Sequence, residues 1–155
     1  MLDLDSDYLG EEHLMLRDQF RKYVQSEIVP KTEEWETLGS LPKSAYLALG
    51  ELGFLGVSIP EDRGGAGFDT LGTVVFGEEL GRSGNGGFAG AISDHADITV
   101  PIIARLGTPQ QCARFLPDIL SGQKIAGLAV TEPRGGSDLT RMATTARRDG
   151  DFCIG

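Results

Sequence analysis

With 155 residues, 40% of them hydrophobic, the chain can bury the core of one domain, or of one domain and the start of a second. Its formal net charge of −9 argues against a nucleic-acid partner, which rewards basic surfaces, and no apolar stretch approaches the ~20 residues that a membrane span requires. The acidic opening MLDLDSDYLGEEH has no basic region before an apolar one, and Cys112 and Cys153 lack C-x-x-C spacing, so no secretory signal, reduced thiols and a cytoplasmic setting are expected.

From Glu11 to Ile28, the residues Leu16, Phe20, Tyr23, Val24 and Ile28 recur at helical spacing and predict one helix with a single buried stripe. Pro30 ends it, and residues 31–41, with Trp35 in a charged setting, read as a connection. Pro42 suits the first turn of a second helix, whose apolar positions are Ala45, Leu47, Leu49 and Leu52. VSIPEDRGGAGFD reads as a short extended piece followed by a glycine loop. Asp69 and Thr70 are candidate caps for a helix through Leu80. The polar break GRSGNGG precedes a long helix over about residues 87–106. Gly107-Thr108-Pro109 closes that helix and opens another to about Leu120, with Thr108 as N-cap.

After Gly122 the pattern changes. KIAGLAVT and TTARRDGDFCIG read as strands, the second folded around the turn dipeptide Asp149-Gly150. One hairpin and one further strand leave edges unpaired, so residues 1–122 are expected to form a helical domain and 123–155 the start of an unfinished β domain. The charge turns at the same place: residues 1–123 hold 9 basic and 19 acidic residues, residues 124–155 hold 5 and 4. Arg134, Arg141, Arg147 and Arg148 in the second segment either meet a polyanionic ligand or stand as ordinary exposed arginines.

Several familiar motifs fail. GNGGFAG has Gly84, Gly86 and Ala89 at the spacing of a dinucleotide fingerprint but follows a helix rather than a strand, which removes the phosphate-binding geometry. There is no G-K-[ST] phosphate loop, and His13 and His95 are too few for an ordinary zinc cluster, so no metal site is expected. His95, between Asp94 and Asp97, reads either as part of a solvated helix face or as a pocket lining.

AVTEPRGGSDLT, residues 129–140, is more distinctive. A strand ending at Val130-Thr131 offers backbone N–H and C=O groups to a flat heteroaromatic ring, and Thr131 adds a hydroxyl. Pro133 turns the chain away, Gly135 and Gly136 permit positive φ and close backbone approach, and Ser137 supplies a donor. From the residues alone, a plain turn and a ligand loop are equally good readings.

AVTEPRGGSD resembles the flavin-binding signature of the acyl-CoA dehydrogenases, a form of Thr-Glu-Pro, a small residue and Gly-Ser-Asp. LGELGFLGVSIPEDRGGAG, GEELGR and GTPQQCARFLPDILSGQKIAGLAVTEP resemble further family segments in the same order, so the similarity covers essentially the whole chain. The resemblance implies a mainly α fold: the family's N-terminal helical bundle, then the first strands of its middle β-barrel domain. It implies FAD as cofactor, with Leu128, Ala129, Val130 and Thr131 along the isoalloxazine. Gly136 would let the chain pass closely, and Ser137 would lie where FAD meets the CoA arm. Ala89, Gly90, Ser93 and Asp97 would line the acyl chain, and their small or polar character favours a medium-to-long, branched or functionalised group. Arg134 stands where the family pattern often has Gly, and Leu128 where some members place an aromatic residue. The implied reaction is α,β-dehydrogenation of an acyl-CoA thioester. The family's catalytic carboxylate comes from its C-terminal domain, so no catalytic residue is nominated here, Glu78, Glu79 and Glu132 included. Electron-transfer flavoprotein as acceptor and a dimeric or tetrameric complete enzyme are implied too. The alternative is a non-catalytic acyl-CoA- and FAD-binding subunit that pairs with a complete homologue.

Overall fold

The computed structural model describes residues 8–150 and the backbone of residues 152–154. Most of the acidic opening, Asp151 beside the hairpin turn, and the Cys153 side chain lie outside the described residues.

Helix α1 (Glu11–Tyr23) runs on through a π turn at Val24–Ile28 and a 3-10 turn at Val29–Lys31. The stripe expected from the sequence is buried at Leu16, Phe20, Val24 and Ile28, and Tyr23 stacks on Phe20 with ring centroids 6.3 Å apart. Residues spaced by four drift around a helix of 3.6 residues per turn, and the longer closure of a π turn counters that drift. Pro30 does not end the helical path. It sits at the start of a new turn, where its missing N–H costs nothing. Residues 31–41, read as a connection, therefore contain a helix, α2 (Thr32–Leu38), which buries Trp35 against Phe88 at 5.8 Å. Gly39 ends it with φ of 66°.

Pro42 caps α3 (Lys43–Glu51), whose buried positions are Ala45, Tyr46 and Leu49. Leu47 is half-buried and Leu52 is 54% exposed, against expectation. The alternation Ala45, Leu47, Leu49 has a period of two, whereas a helix buries 45, 46 and 49 together. VSIPEDRGGAGFD forms no strand. A 3-10 turn at Glu61–Arg63 follows one at Phe54–Gly56, and the loop folds back through Ala66 N–H to Gly56 O and Phe68 N–H to Val57 O, both 2.9 Å. Gly65 lies so close to Ile59 that a Cβ would fall 2.0 Å from its carbonyl oxygen, so only glycine fits.

The Asp69 carboxylate accepts from the Leu71 and Gly72 amides and caps α4 (Thr70–Gly81). The long helix is continuous over three pieces: α5 (Gly86–Ser93), a π turn at Asp94–Thr99 and α6 (Val100–Leu106). Thr108 and Gln111 form a reciprocal capping box for α7 (Pro109–Leu120). The main core gathers around Phe20, Phe54 and Phe76, whose rings meet at 4.5 and 4.6 Å. A smaller cluster of Ile59, Val100, Ala104, Leu116 and Ile119 joins α6 to α7. No helix among the described residues is long and apolar enough to cross a membrane.

Beyond Gly122 the chain is extended or turned. β1 (Arg147–Asp149) pairs antiparallel with β2 (Phe152–Ile154), and Gly150 takes the turn with φ of 61°. KIAGLAVT is not a strand, because a strand needs a ladder partner and no described residue supplies one. The fold is thus mainly α with one β hairpin.

Candidate functional site

His95 positions the run that leads to the bend. It is fully buried, and its Nδ1 accepts the Ala126 amide at 3.1 Å while Nε2 lies 3.2 Å from the Ile119 carbonyl. The amide can only donate and the carbonyl only accept, so the imidazole is neutral with its proton on Nε2. Burial holds it below the ordinary histidine range, against the two hydrogen bonds and the Asp94 charge. His95 is therefore neither on a solvated face nor lining a pocket. It fastens the extended run to the end of α7, aided by the Lys124 amide on Asp118 O at 2.8 Å.

From Gly127 to Thr131 the run has no backbone hydrogen bond among the described residues, and Leu128 is 46% exposed. Glu132-Pro133-Arg134-Gly135 then forms a tight turn, with Glu132 N–H to Gly135 O at 2.8 Å and Gly135 N–H to Glu132 O at 3.1 Å. Gly135 and Gly136 do not use the positive φ that the sequence allows them, since the turn closes with ordinary backbone angles. A Cβ at Gly136 would meet Thr131 Oγ1 at 3.9 Å, an ordinary contact, so packing within the described residues does not require glycine there. The Glu132 carboxylate accepts the Ala143 and Thr144 amides, each at 2.8 Å, and the Thr144 side chain, followed by these two amides, holds it below the usual carboxylate range. Ser137 is exposed beside Asp138, whose side chain caps the turn at Leu139–Arg141.

On the long helix, Ala89, Ser93 and Asp97 are half-buried at intervals of four, and Gly90 is exposed. The π turn keeps Ser93, Asp97 and Pro101 in line, as it does in α1. Ser93 Oγ donates to Asp97 Oδ2 at 3.1 Å. Burial, partly offset by that bond, lifts the Asp97 carboxyl to about 6. Asp97 lines a cleft of about 360 Å³ with Ser58, Phe68, Asp69, Thr70, Thr73, Pro101 and Arg105. Of the four named positions, Asp97 alone reaches this cleft, a feature that the polar stretch Ser93-Asp94-His95-Ala96-Asp97 hints at but periodicity does not resolve.

The carboxylates on α4 are engaged. Glu79 is fully buried and takes a two-point contact from Arg21 at 2.7 and 3.0 Å and a third bond from Arg82 at 3.2 Å, while Glu78 pairs with Arg17 at 2.7 Å. Cys112 is a free, half-buried thiol. Among the described residues no group of three or more His, Cys, Asp or Glu side chains could hold a metal ion.

The backbone N–H and C=O groups of Gly127–Thr131 are left without backbone partners among the described residues. A helical domain that presents an open extended run ending in a Thr-Glu-Pro turn matches known proteins throughout. Residues 10–123 match the model described as acyl-CoA dehydrogenase, N-terminal domain, and the chain belongs to the acyl-CoA dehydrogenase family. It is 40% identical over 145 residues to the mitochondrial long-chain specific acyl-CoA dehydrogenase of Rattus norvegicus, covering 94% of this chain and 33% of the relative. It superposes with a TM-score of 0.87 on an acyl-CoA dehydrogenase from Geobacillus kaustophilus at 40% identity, covering 96% of this chain and 38% of the other. A glutaryl-CoA dehydrogenase from Mycobacterium smegmatis in complex with FADH2 gives the same TM-score at 29% identity, with 96% and 38% covered. The chain thus spans roughly a third of the length of such relatives.

Proposed function

We propose that the chain is the N-terminal part of an FAD-dependent acyl-CoA dehydrogenase that oxidises an acyl-CoA thioester to the trans-2-enoyl-CoA. The single observation that carries this is the open run Gly127–Thr131 held in place by His95, with its hydrogen-bonding groups unspent. FAD, when bound, supplies the acceptor for the hydride that leaves the β-carbon. The backbone of Val130 and Thr131, with the Thr131 hydroxyl, bonds the polar edge of the ring, and Leu128 and Ala129 lie along it. Gly136 gives close approach, and Ser137 stands where cofactor and CoA arm meet. Ala89, Gly90, Ser93 and Asp97 face the acyl chain. The family's catalytic carboxylate comes from its C-terminal domain, so the base that removes the α-proton lies outside this chain, and Glu78, Glu79 and Glu132 are each committed to structural partners. The boundary between helical and β domains falls near residue 122. The complete enzyme is a cytoplasmic homo-oligomer that passes electrons to an electron-transfer flavoprotein.

The test is anaerobic mixing of the complete enzyme with acyl-CoAs of increasing length. Bleaching of bound flavin together with enoyl-CoA formation is expected. A flavin that no acyl-CoA bleaches contradicts the reading and favours a binding subunit.

A further inference from the structure

The cleft beneath Asp97 carries more polar capacity than its own hydrogen bonds use. Asp97 Oδ2 is occupied by Ser93, but Oδ1 has no hydrogen bond among the described residues. The hydroxyls of Ser58 and Thr70 and the Arg105 guanidinium, which line the same cleft, have none either. Thr73 is partly committed, through a long 3.5 Å contact to Asp69 O. Asp69 is partly committed, since its Oδ1 meets His13 Nε2 at 2.9 Å and the amides of Leu71 and Gly72, while its Oδ2 has no hydrogen bond among the described residues. A purely aliphatic occupant would strip water from these groups and return nothing.

Charge narrows the occupant. A carboxylate would be drawn to Arg105 but repelled by Asp97 and unable to donate to it. An ammonium would be drawn to Asp97 and Asp69 but repelled by Arg105, whose donors it cannot satisfy. A hydroxyl avoids both conflicts, because it donates to the free Asp97 oxygen and accepts from Ser58 or Thr70. Phe68 and Pro101 supply apolar wall for the carbons that carry it. Asp97 follows Ser93 by one turn, so the cleft continues the helix face assigned above to the acyl chain. Resting on that assignment, we propose that this cleft selects acyl-CoA substrates whose acyl group carries a neutral hydroxyl far from the thioester, with Asp97 as its principal acceptor. The raised proton affinity of Asp97 agrees with this, since a carboxyl that is partly desolvated gains most from a new donor.

The experiment compares kcat/KM in the complete enzyme for a saturated acyl-CoA, its terminally hydroxylated counterpart and the matching dicarboxylic mono-CoA ester. We expect the hydroxylated substrate to lead by about tenfold, well below the ~10⁴–10⁵ by which a fully enclosed hydroxyl site rejects an analogue lacking it, because Asp97 is only half-buried. Asp97→Leu should reverse that order. Asp97→Asn, which keeps the volume, should shrink the ratio, and it serves if the leucine variant does not fold. Equal use of saturated and hydroxylated substrates, a lead for the dicarboxylic ester, or a ratio untouched by Asp97→Asn overturns the proposal while leaving the dehydrogenase reading intact. Absence of flavin bleaching by all three overturns both.

Discussion

His95→Leu tests whether the run that leads to the bend is held by one imidazole. Leucine fills most of the volume and removes both hydrogen bonds. The Ala126 amide then loses its acceptor in a part-buried position, a stranding worth ~1–3 kcal/mol. The Ile119 carbonyl suffers less, because it keeps the Gly122 amide at 3.0 Å, so the loss there is nearer ~0.5–1.5 kcal/mol. A total of about 2–3 kcal/mol corresponds to a Tm lower by about 5–10 °C in a domain of this size. The pH dependence follows from linkage. Burial depresses the folded-state pKa of His95, so the unfolded chain binds more protons as pH falls. Its stabilising contribution is complete above about pH 6.5 and fades as pH falls through the folded value. Thermal melts of wild type and variant at about pH 8 and about pH 5.5 should show a gap that narrows in acid. Taking the difference between the two proteins also cancels the opposite titration of Asp97. A gap below about 1 °C, or one that ignores pH, would refute the argument.

Four other outcomes are expected. Asp97→Asn should raise Tm above pH 6 and lose that advantage near pH 4: the folded pKa is raised to about 6, so the native carboxyl's contribution is present in acid and lost as pH rises through that value. Glu79→Gln should cost about 3 kcal/mol in chemical denaturation, the low end for a broken buried pair, because Arg21 and Arg82 are half-exposed and can rehydrate. Glu132→Ala should speed hydrogen exchange at the Ala143 and Thr144 amides while leaving the helices protected. Gly90→Phe should leave Tm nearly unchanged, since a Cβ there meets nothing within 4 Å, yet shift the kcat/KM ratio of the complete enzyme toward shorter acyl chains.

Local chemistry made much of this fold legible. Asp69 and Thr108 cap where their short polar side chains precede apolar runs, and Asp149-Gly150 turns where glycine can take positive φ. Leu16, Phe20, Val24 and Ile28 announce their shared face by spacing alone. What was not legible depends on distant partners. Trp35 makes a helix of a charged segment because Phe88 lies across from it, and no local pattern records that contact. His95 is hidden among aspartates in the sequence, while its partners Ile119 and Ala126 are 24 and 31 residues away. KIAGLAVT carries strand-forming residues, but pairing is a property of two segments. The bend itself was recognisable from its residues, although its glycines adopt no positive φ.

The central claim is that Val130, Thr131 and their neighbours hold the polar edge of a flavin. Its most direct test is the flavin midpoint potential and visible spectrum of the complete enzyme carrying Thr131→Val, a change that keeps shape and deletes one hydroxyl. Losing a hydrogen bond worth ~0.5–1.5 kcal/mol to the ring should move the potential and the absorption bands while Tm stays close to wild type. A flavin with unchanged potential and spectrum would contradict the account.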